Sequence, residues 1–226
     1  MSNLKVDDLF AAGAHFGHRT NRWNPKMKPF IFEAKKGVYV IDLNQTYERL
    51  ETALAYITKS VKEGKVILFV GTKNQVKKPL EEMAKVTGMP YVSGKWLGGY
   101  LTNFSVIRKT IKKYQDLISQ RDSGRLDKYN KKEKLDIERT IKKLDGRVGG
   151  VSSLSKLPDV IFIWDIKEES TALVEAGKKN IPVIAICDTN VNPDGVAYPI
   201  PANDDSSKTA QLIMGAISET ILEAKK

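Results

Sequence analysis

The chain is poor in the residues that carry most enzyme chemistry. Its 226 residues include one cysteine, Cys187, and two histidines, His15 and His18. A single cysteine excludes an internal disulfide and any thiolate zinc cage, and it suits a reducing compartment. No apolar run approaches the ~20 residues of a membrane span. The opening stretch MSNLKVDDLF has acids where a signal peptide needs apolar residues, so a cytoplasmic location is expected. Phosphate-loop spacing is also missing. In VGTK the Thr72 precedes Lys73, and Gly94, Gly98 and Gly99 fall at the wrong intervals for a dinucleotide fingerprint. Neither H-E-x-x-H nor G-x-S-x-G occurs. A nucleotide-dependent α/β enzyme working at the C-terminal edge of a sheet is therefore the alternative reading and not the leading one.

Positive charge, by contrast, is abundant and concentrated. The net charge is +10, from 37 Lys and Arg against 27 Asp and Glu. Residues 104–147 carry +7 and residues 19–36 carry +5, which leaves the remainder slightly acidic at −2. Two dense basic segments on an otherwise balanced chain make a footprint for a polyphosphate such as RNA, because neutralised phosphates release counterions. A lysine-rich solvated surface or a free-standing protein-interaction module is the plainer alternative.

The apolar pattern predicts an α/β fold. ILFV, VIFI and VIAIC, within KVILFVGTK, PDVIFIWD and IPVIAICD, are near-continuous apolar runs, as expected of parallel strands covered on both faces. Helical patterns lie between them: NQVKKPLEEMAKVT stopped by Gly88, STALVEAGKK, and Ser206–Ala224 with Asp204 or Asp205 as its N-cap. Strand, helix, strand in that order implies right-handed parallel crossovers. Residues 102–149 differ in rhythm. Phe104, Ile107, Ile111, Tyr114 and Ile118 follow steps of three and four, and Ile137, Ile141, Leu144 and Val148 repeat them after a turn at Ser123 and Gly124. That seam predicts an antiparallel coiled-coil hairpin inserted into the globular domain formed by residues 1–101 and 150–226, with an N-terminal attachment segment over 1–43.

Several residues are candidates for binding. In HRTNRWNPKMKPFIF, Arg19, Arg22, Lys26 and Lys28 interleave with Trp23 and two prolines that are expected to hold the chain extended. SGKWLGGYLTNF repeats the theme with Lys95, Trp96 and Asn103 at the hairpin base. Lys73, Arg108, Lys109, Lys112 and Lys113 complete the expected phosphate contacts. His15 and His18, three apart, would share a helical face; His15 is expected to pack. His18 with Asp188 and Asp204 is a candidate structural site for a divalent ion such as zinc or magnesium, hydrogen-bonding caps being the alternative. No cofactor is required.

The stretches HFGHRTNRWNPKMKPFIF, ILFVGTK, WLGGYLTNF, LPDVIFIWD and IPVIAICDTNVNPDGVAYPIPANDD together resemble small-subunit ribosomal protein two of the bacterial type, over essentially the whole chain. The resemblance implies a flavodoxin-like or Rossmann-like sheet without enzymatic activity, bound to small-subunit ribosomal RNA among neighbouring small-subunit proteins. It further implies that Phe16 and Phe32 help receive the large small-subunit protein number one. Neither a membrane nor a second copy of the chain is an expected partner. Lys95 stands where arginine is usual, so a bidentate phosphate contact there becomes a point-charge contact.

Overall fold

A computed structural model describes residues 4–126 and 129–226. The chain starts with a short helix α1 (Val6–Ala12), then β1 (Phe16–Arg19), β2 (Ile31–Lys35) and β3 (Val38–Ile41), which pair antiparallel in the order β1-β3-β2. Next come α2 (Leu43–Lys62), β4 (Ile67–Val70), α3 (Asn74–Thr87) and β5 (Tyr91–Val92). Two long helices, α4 (Phe104–Asp122) and α5 (Lys131–Val148), precede β6 (Val160–Ile163), α6 (Ser170–Lys178), β7 (Val183–Cys187), β8 (Tyr198–Pro201) and α7 (Ser207–Ala224).

Strands β4 to β8 form one parallel sheet in the order β5-β4-β6-β7-β8. Counted along the sheet's own strands this is 2-1-3-4-5, the flavodoxin-like order of a doubly wound sheet. The expected α/β class is therefore observed, with a small antiparallel sheet added. Period-two alternation divides the central strands between two cores. Ile67, Phe69, Val160, Phe162, Ile184 and Ile186 face the layer made by α1, α2, α3 and α7. Leu68, Val70, Ile161, Ile163, Ala185 and Cys187 face the layer made by α4, α5 and α6, together with Met27 and Phe30. All residues of β4, β6 and β7 are buried, which is why these runs lack polar alternation.

Helix boundaries follow local chemistry. Gly88 ends α3 in the left-handed conformation at φ 68°, as its position predicts. At α7 the expected cap is corrected: Ser206, and neither Asp204 nor Asp205, accepts a hydrogen bond from the Thr209 N–H. Both aspartates are drawn elsewhere, as described below. Helix α5 starts with a reciprocal capping box between Asn130 and Glu133.

Helices α4 and α5 occupy the predicted segment and lie side by side, with the Tyr114 hydroxyl donating to Asp145. Their seam residues do not form a separate core. Ile107, Ile111, Tyr114, Ile141, Leu144 and Val148 are buried in the same cluster as the strands, whereas Leu117, Ile118 and Ile137 are only partly covered. Asp127 and Lys128 in the connection lie outside the described residues.

The N-terminal segment departs from expectation. Between β1 and β2 the chain winds into 3-10 turns at Thr20–Arg22 and Pro25–Phe30, so the prolines do not keep it extended. Pro25 sits at the start of the second turn, where its missing N–H costs nothing, and Asn24 accepts from the Lys26 N–H to cap it. Gly17 lets this segment lie against the sheet. A β-carbon at Gly17 would sit 2.6 Å from Thr189 Cγ2 and 3.0 Å from the Tyr39 carbonyl oxygen.

Candidate nucleic-acid interface

In a doubly wound sheet the natural ligand crevice opens where strand order reverses, here between the C-terminal ends of β4 and β6. The chain fills that crevice with its own charges. Lys73, just beyond β4, places its Nζ 2.9 Å from Asp165 Oδ2, 2.7 Å from Asp204 Oδ1 and 2.8 Å from Asp205 Oδ1. Beneath it the Trp164 indole donates to the Asp204 carbonyl oxygen at 2.9 Å, and buried Glu169 accepts from the Thr72 N–H. Burial works against the Lys73 ammonium, but the three carboxylates outweigh it and hold its pKa above the ordinary value. Burial and the neighbouring Asp165 and Asp188 push Asp204 up to about 7. A crevice rich in carboxylates repels a nucleotide phosphate. The Lys73 ammonium, expected to contact phosphate, is engaged by the three carboxylates of this network.

The two histidines part company, because an odd spacing on or beside a strand sends side chains to opposite faces. His18 lies on β1. Its Nδ1 is 3.1 Å from buried Asp188 Oδ1, its Nε2 is 3.8 Å from Asp205 Oδ2, and its backbone N–H donates to Thr189 Oγ1 at 2.8 Å. The Asp188 hydrogen bond raises the His18 pKa despite partial burial. The predicted metal triad of His18, Asp188 and Asp204 is not assembled. Asp204 Oδ1 is taken up by the Lys73 ammonium, and among the described residues Asp188 Oδ2 is the one carboxylate oxygen buried without a partner. Among the described residues no group of three or more His, Cys, Asp or Glu side chains is arranged to hold a metal. His18 works as a latch between the N-terminal sheet and the parallel sheet.

Above that latch the basic surface is open. Arg19, Arg22, Lys26 and Lys28 are exposed on the 3-10 turns and the end of β1, and Lys26 pairs loosely with Asp194 at 3.2 Å. Trp23 is half-buried against Tyr39, with ring centroids 5.1 Å apart. At the base of α4, Lys95 and Asn103 are exposed, whereas Trp96 is buried. Trp96, an RNA-binding candidate in the sequence, is packed near Tyr100 and donates its indole N–H to Glu175, which anchors the loop below α4.

Glu175 is the functional residue that sequence reasoning missed. Buried on α6, its carboxylate accepts from the backbone N–H groups of Gly99 at 2.7 Å, Leu101 at 2.9 Å and Thr102 at 2.9 Å, and from the Thr102 hydroxyl at 3.0 Å. Burial opposes the charge, but these donors win and lower its pKa. One anion thus shapes the WLGGYLT loop from which α4 springs. Its signal was available: Glu175 is an acid three residues from Ala172 and adjacent to Ala176, on the face of α6 that is buried.

Beyond the loop, Arg108, Lys109, Lys112 and Lys113 are exposed along the first turns of α4. On the opposite side of the N-terminal segment, His15 stacks between Phe10 and Phe16 with centroid separations of 4.5 and 4.1 Å. Phe10, Phe16 and Phe32 are 62%, 54% and 70% exposed, an unusual concentration of apolar surface around a groove of about 500 Å³. Phe10 was not anticipated.

Two positively charged surfaces and an aromatic groove on a sheet whose ligand crevice is closed are the features of a scaffold. Residues 9–224 match the family model described as Ribosomal protein S2. The chain belongs to the ribosomal protein S2 family. It is 48% identical over 226 residues to the small ribosomal subunit protein uS2 of Coprothermobacter proteolyticus, covering all of this chain and 84% of the relative. It is 46% identical over 223 residues to the uS2 of Nitratiruptor sp., covering 99% and 84%, and 47% identical over 222 residues to that of Helicobacter hepaticus, covering 98% and 84%. As a member of this family the protein is a non-enzymatic structural constituent of the small ribosomal subunit, acting in translation. No helix among the described residues is long and apolar enough to cross a membrane.

Proposed function

We propose that the protein attaches to small-subunit ribosomal RNA through two exposed basic surfaces and uses the aromatic groove to help dock the large small-subunit protein number one. Arg19, Arg22, Lys26 and Lys28 supply one set of phosphate contacts, with Trp23 beside them. Lys95, Asn103, Arg108, Lys109, Lys112 and Lys113 supply the other, where residues 102–149 act as a basic arm on the globular body. The observation that carries this reading is segregation: every one of these basic side chains is exposed, whereas Asp165, Asp188 and Asp204 near the crevice are buried around Lys73 and His18. Phosphate contacts fix position and register, and lysine-rich surfaces read backbone shape in preference to base edges. Phe16 and Phe32, joined by Phe10, offer the apolar contact that a protein partner needs.

The test is equilibrium binding of the full chain to a small-subunit ribosomal RNA transcript across a salt series. Affinity should fall steeply and linearly on a log–log plot, by about 0.7 to 0.9 in slope per phosphate contact. Tight binding of ATP, GTP or NAD without salt-dependent RNA binding would reverse the assignment. Failure to co-sediment with small subunits would do the same.

A further inference from the structure

A groove of about 610 Å³ runs between the first turns of α4 and the return segment that leads from α5 to β6. One wall carries Arg108, Lys109 and Lys112, and the other carries Ser152, Ser153 and Ser155. Among the described residues none of the three cations has an ion-pair partner and none of the three serine hydroxyls has a hydrogen bond. One acid, Asp116, lies a turn beyond Lys112 at the distal end.

The groove is also preformed. Its floor is buried Ile111, and Leu154 anchors the return segment in the same core. Gln115 donates to the Ser152 carbonyl oxygen at 2.8 Å, tying one wall to the other. Glycines set the approach: a β-carbon at Gly150 would sit 2.4 Å from the Tyr91 carbonyl oxygen, and one at Gly149 would sit 2.4 Å from Asp145 Oδ1. Three unpaired hydroxyls on such a pinned segment are placed before any ligand arrives.

We infer that this groove holds a single sugar-phosphate strand of RNA, with the cations on its phosphates and the serine hydroxyls on phosphate oxygens and 2′-hydroxyls. The inference rests on the RNA-binding reading above and assigns a second wall, from a segment with no positive charge until Lys156, to that interface. Without an aromatic platform or a planar amide row, the groove reads backbone and sugar and leaves the base unread. Its ligand is a strand and not an isolated phosphate, because cations on successive turns of α4 are spread along the wall.

Two variants and one tether test it on the full chain with a small-subunit ribosomal RNA transcript. The R108Q/K109Q/K112Q variant should lower the salt slope by about 2 to 3 relative to the parent. The S152A/S153A/S155A variant should weaken binding roughly tenfold at low salt with the slope unchanged, because it removes hydrogen bonds and no charge. Cys187 is fully buried, so S153C introduces the only accessible thiol. A hydroxyl-radical source tethered there should cut the RNA within one short stretch, whereas the same source at V86C on the exposed face of α3 should not cut that stretch. If the parent binds with a normal slope and both groove variants match it, or if the S153C tether cuts no RNA, the groove assignment is overturned while the RNA reading stands. If the parent shows no salt-dependent RNA binding, both fall. Protection of the S153C thiol by a neighbouring protein in assembled subunits, without RNA cleavage, would give the groove to a protein partner.

Discussion

At the scale of single residues, a buried carboxylate and a partly buried imidazole each tie distant segments together and respond to pH in opposite senses. Glu175 is a buried anion satisfied by three backbone N–H groups, the Thr102 hydroxyl and the Trp96 indole, so Glu175→Gln keeps its shape but presents an amide N–H₂ to groups that also donate. That substitution should cost about 1 to 3 kcal/mol in urea unfolding and loosen the loop below α4. A Glu175→Gln protein as stable as the parent would remove Glu175 from its organising role. Because its folded pKa lies below the ordinary 4.5, the Glu175 contribution is complete above that value and is lost as pH falls through the depressed one. His18 behaves in the reverse sense. Its pKa is raised from 6.5 by Asp188, so its stabilising charge is fully present below 6.5 and is lost as pH rises through the higher folded value. The difference in melting temperature between the parent and His18→Asn should accordingly be larger near pH 6 than near pH 9, and an equal difference at both would show that the imidazolium contributes nothing. The pairing of His18 with Asp188 was legible as a candidate, as a metal site or as hydrogen-bonding caps, whereas the Glu175 cradle and the Thr189 contact, 171 positions from His18, were not foreseen.

At the scale of elements, apolar run length and glycine placement located α3, α4, α5, α6, α7 and the three central strands, because those signals are local and the central strands are buried on both faces, but the 20-residue α2 was not foreseen. Strands β1, β2, β3, β8 and the two-residue β5 were not foreseen: they are short and partly exposed, and β1 and β2 also carry charge. The extended reading of the proline stretch failed for a related reason: proline fixes φ near a value shared by extended chain and 3-10 turns, and only the Asn24 cap decides between them. The seam of α4 and α5 was read correctly as apolar, yet its basal half is buried in one cluster with the central strands and does not form a core of its own, which periodicity does not distinguish. The union of the small sheet with the large one is the most fragile junction. Gly17→Ala would drive a methyl group into Thr189 and disturb the His18 latch, and should destabilise the protein by about 1 to 3 kcal/mol. Residues 13–41 should then show faster amide exchange than the parallel sheet, and unchanged exchange there would mean that the segment is held by other contacts.

At the scale of the whole molecule, the three faces separate by chemistry: basic surfaces outside, acids drawn inward to the crevice, and an aromatic groove on the N-terminal segment. Replacing Phe10, Phe16 and Phe32 with serine should leave melting temperature and RNA affinity close to those of the parent, because all three rings are exposed. Recovery of the large protein number one on small subunits carrying the triple variant should fall at least several-fold; full recovery would assign the groove to another partner. The latch described above also has a temporal consequence. Residues 12–24, which carry Arg19 and Arg22 and lead into the rest of the first basic surface, hydrogen-bond to Thr189, Asn203, Ser206 and Thr209 from the other end of the chain. During synthesis the attachment segment leaves the exit tunnel first, and its docking site follows on the order of ten seconds later. Its final shape is therefore set only when translation is almost finished, so an incompletely made chain presents no finished RNA-binding surface to compete for a nascent subunit.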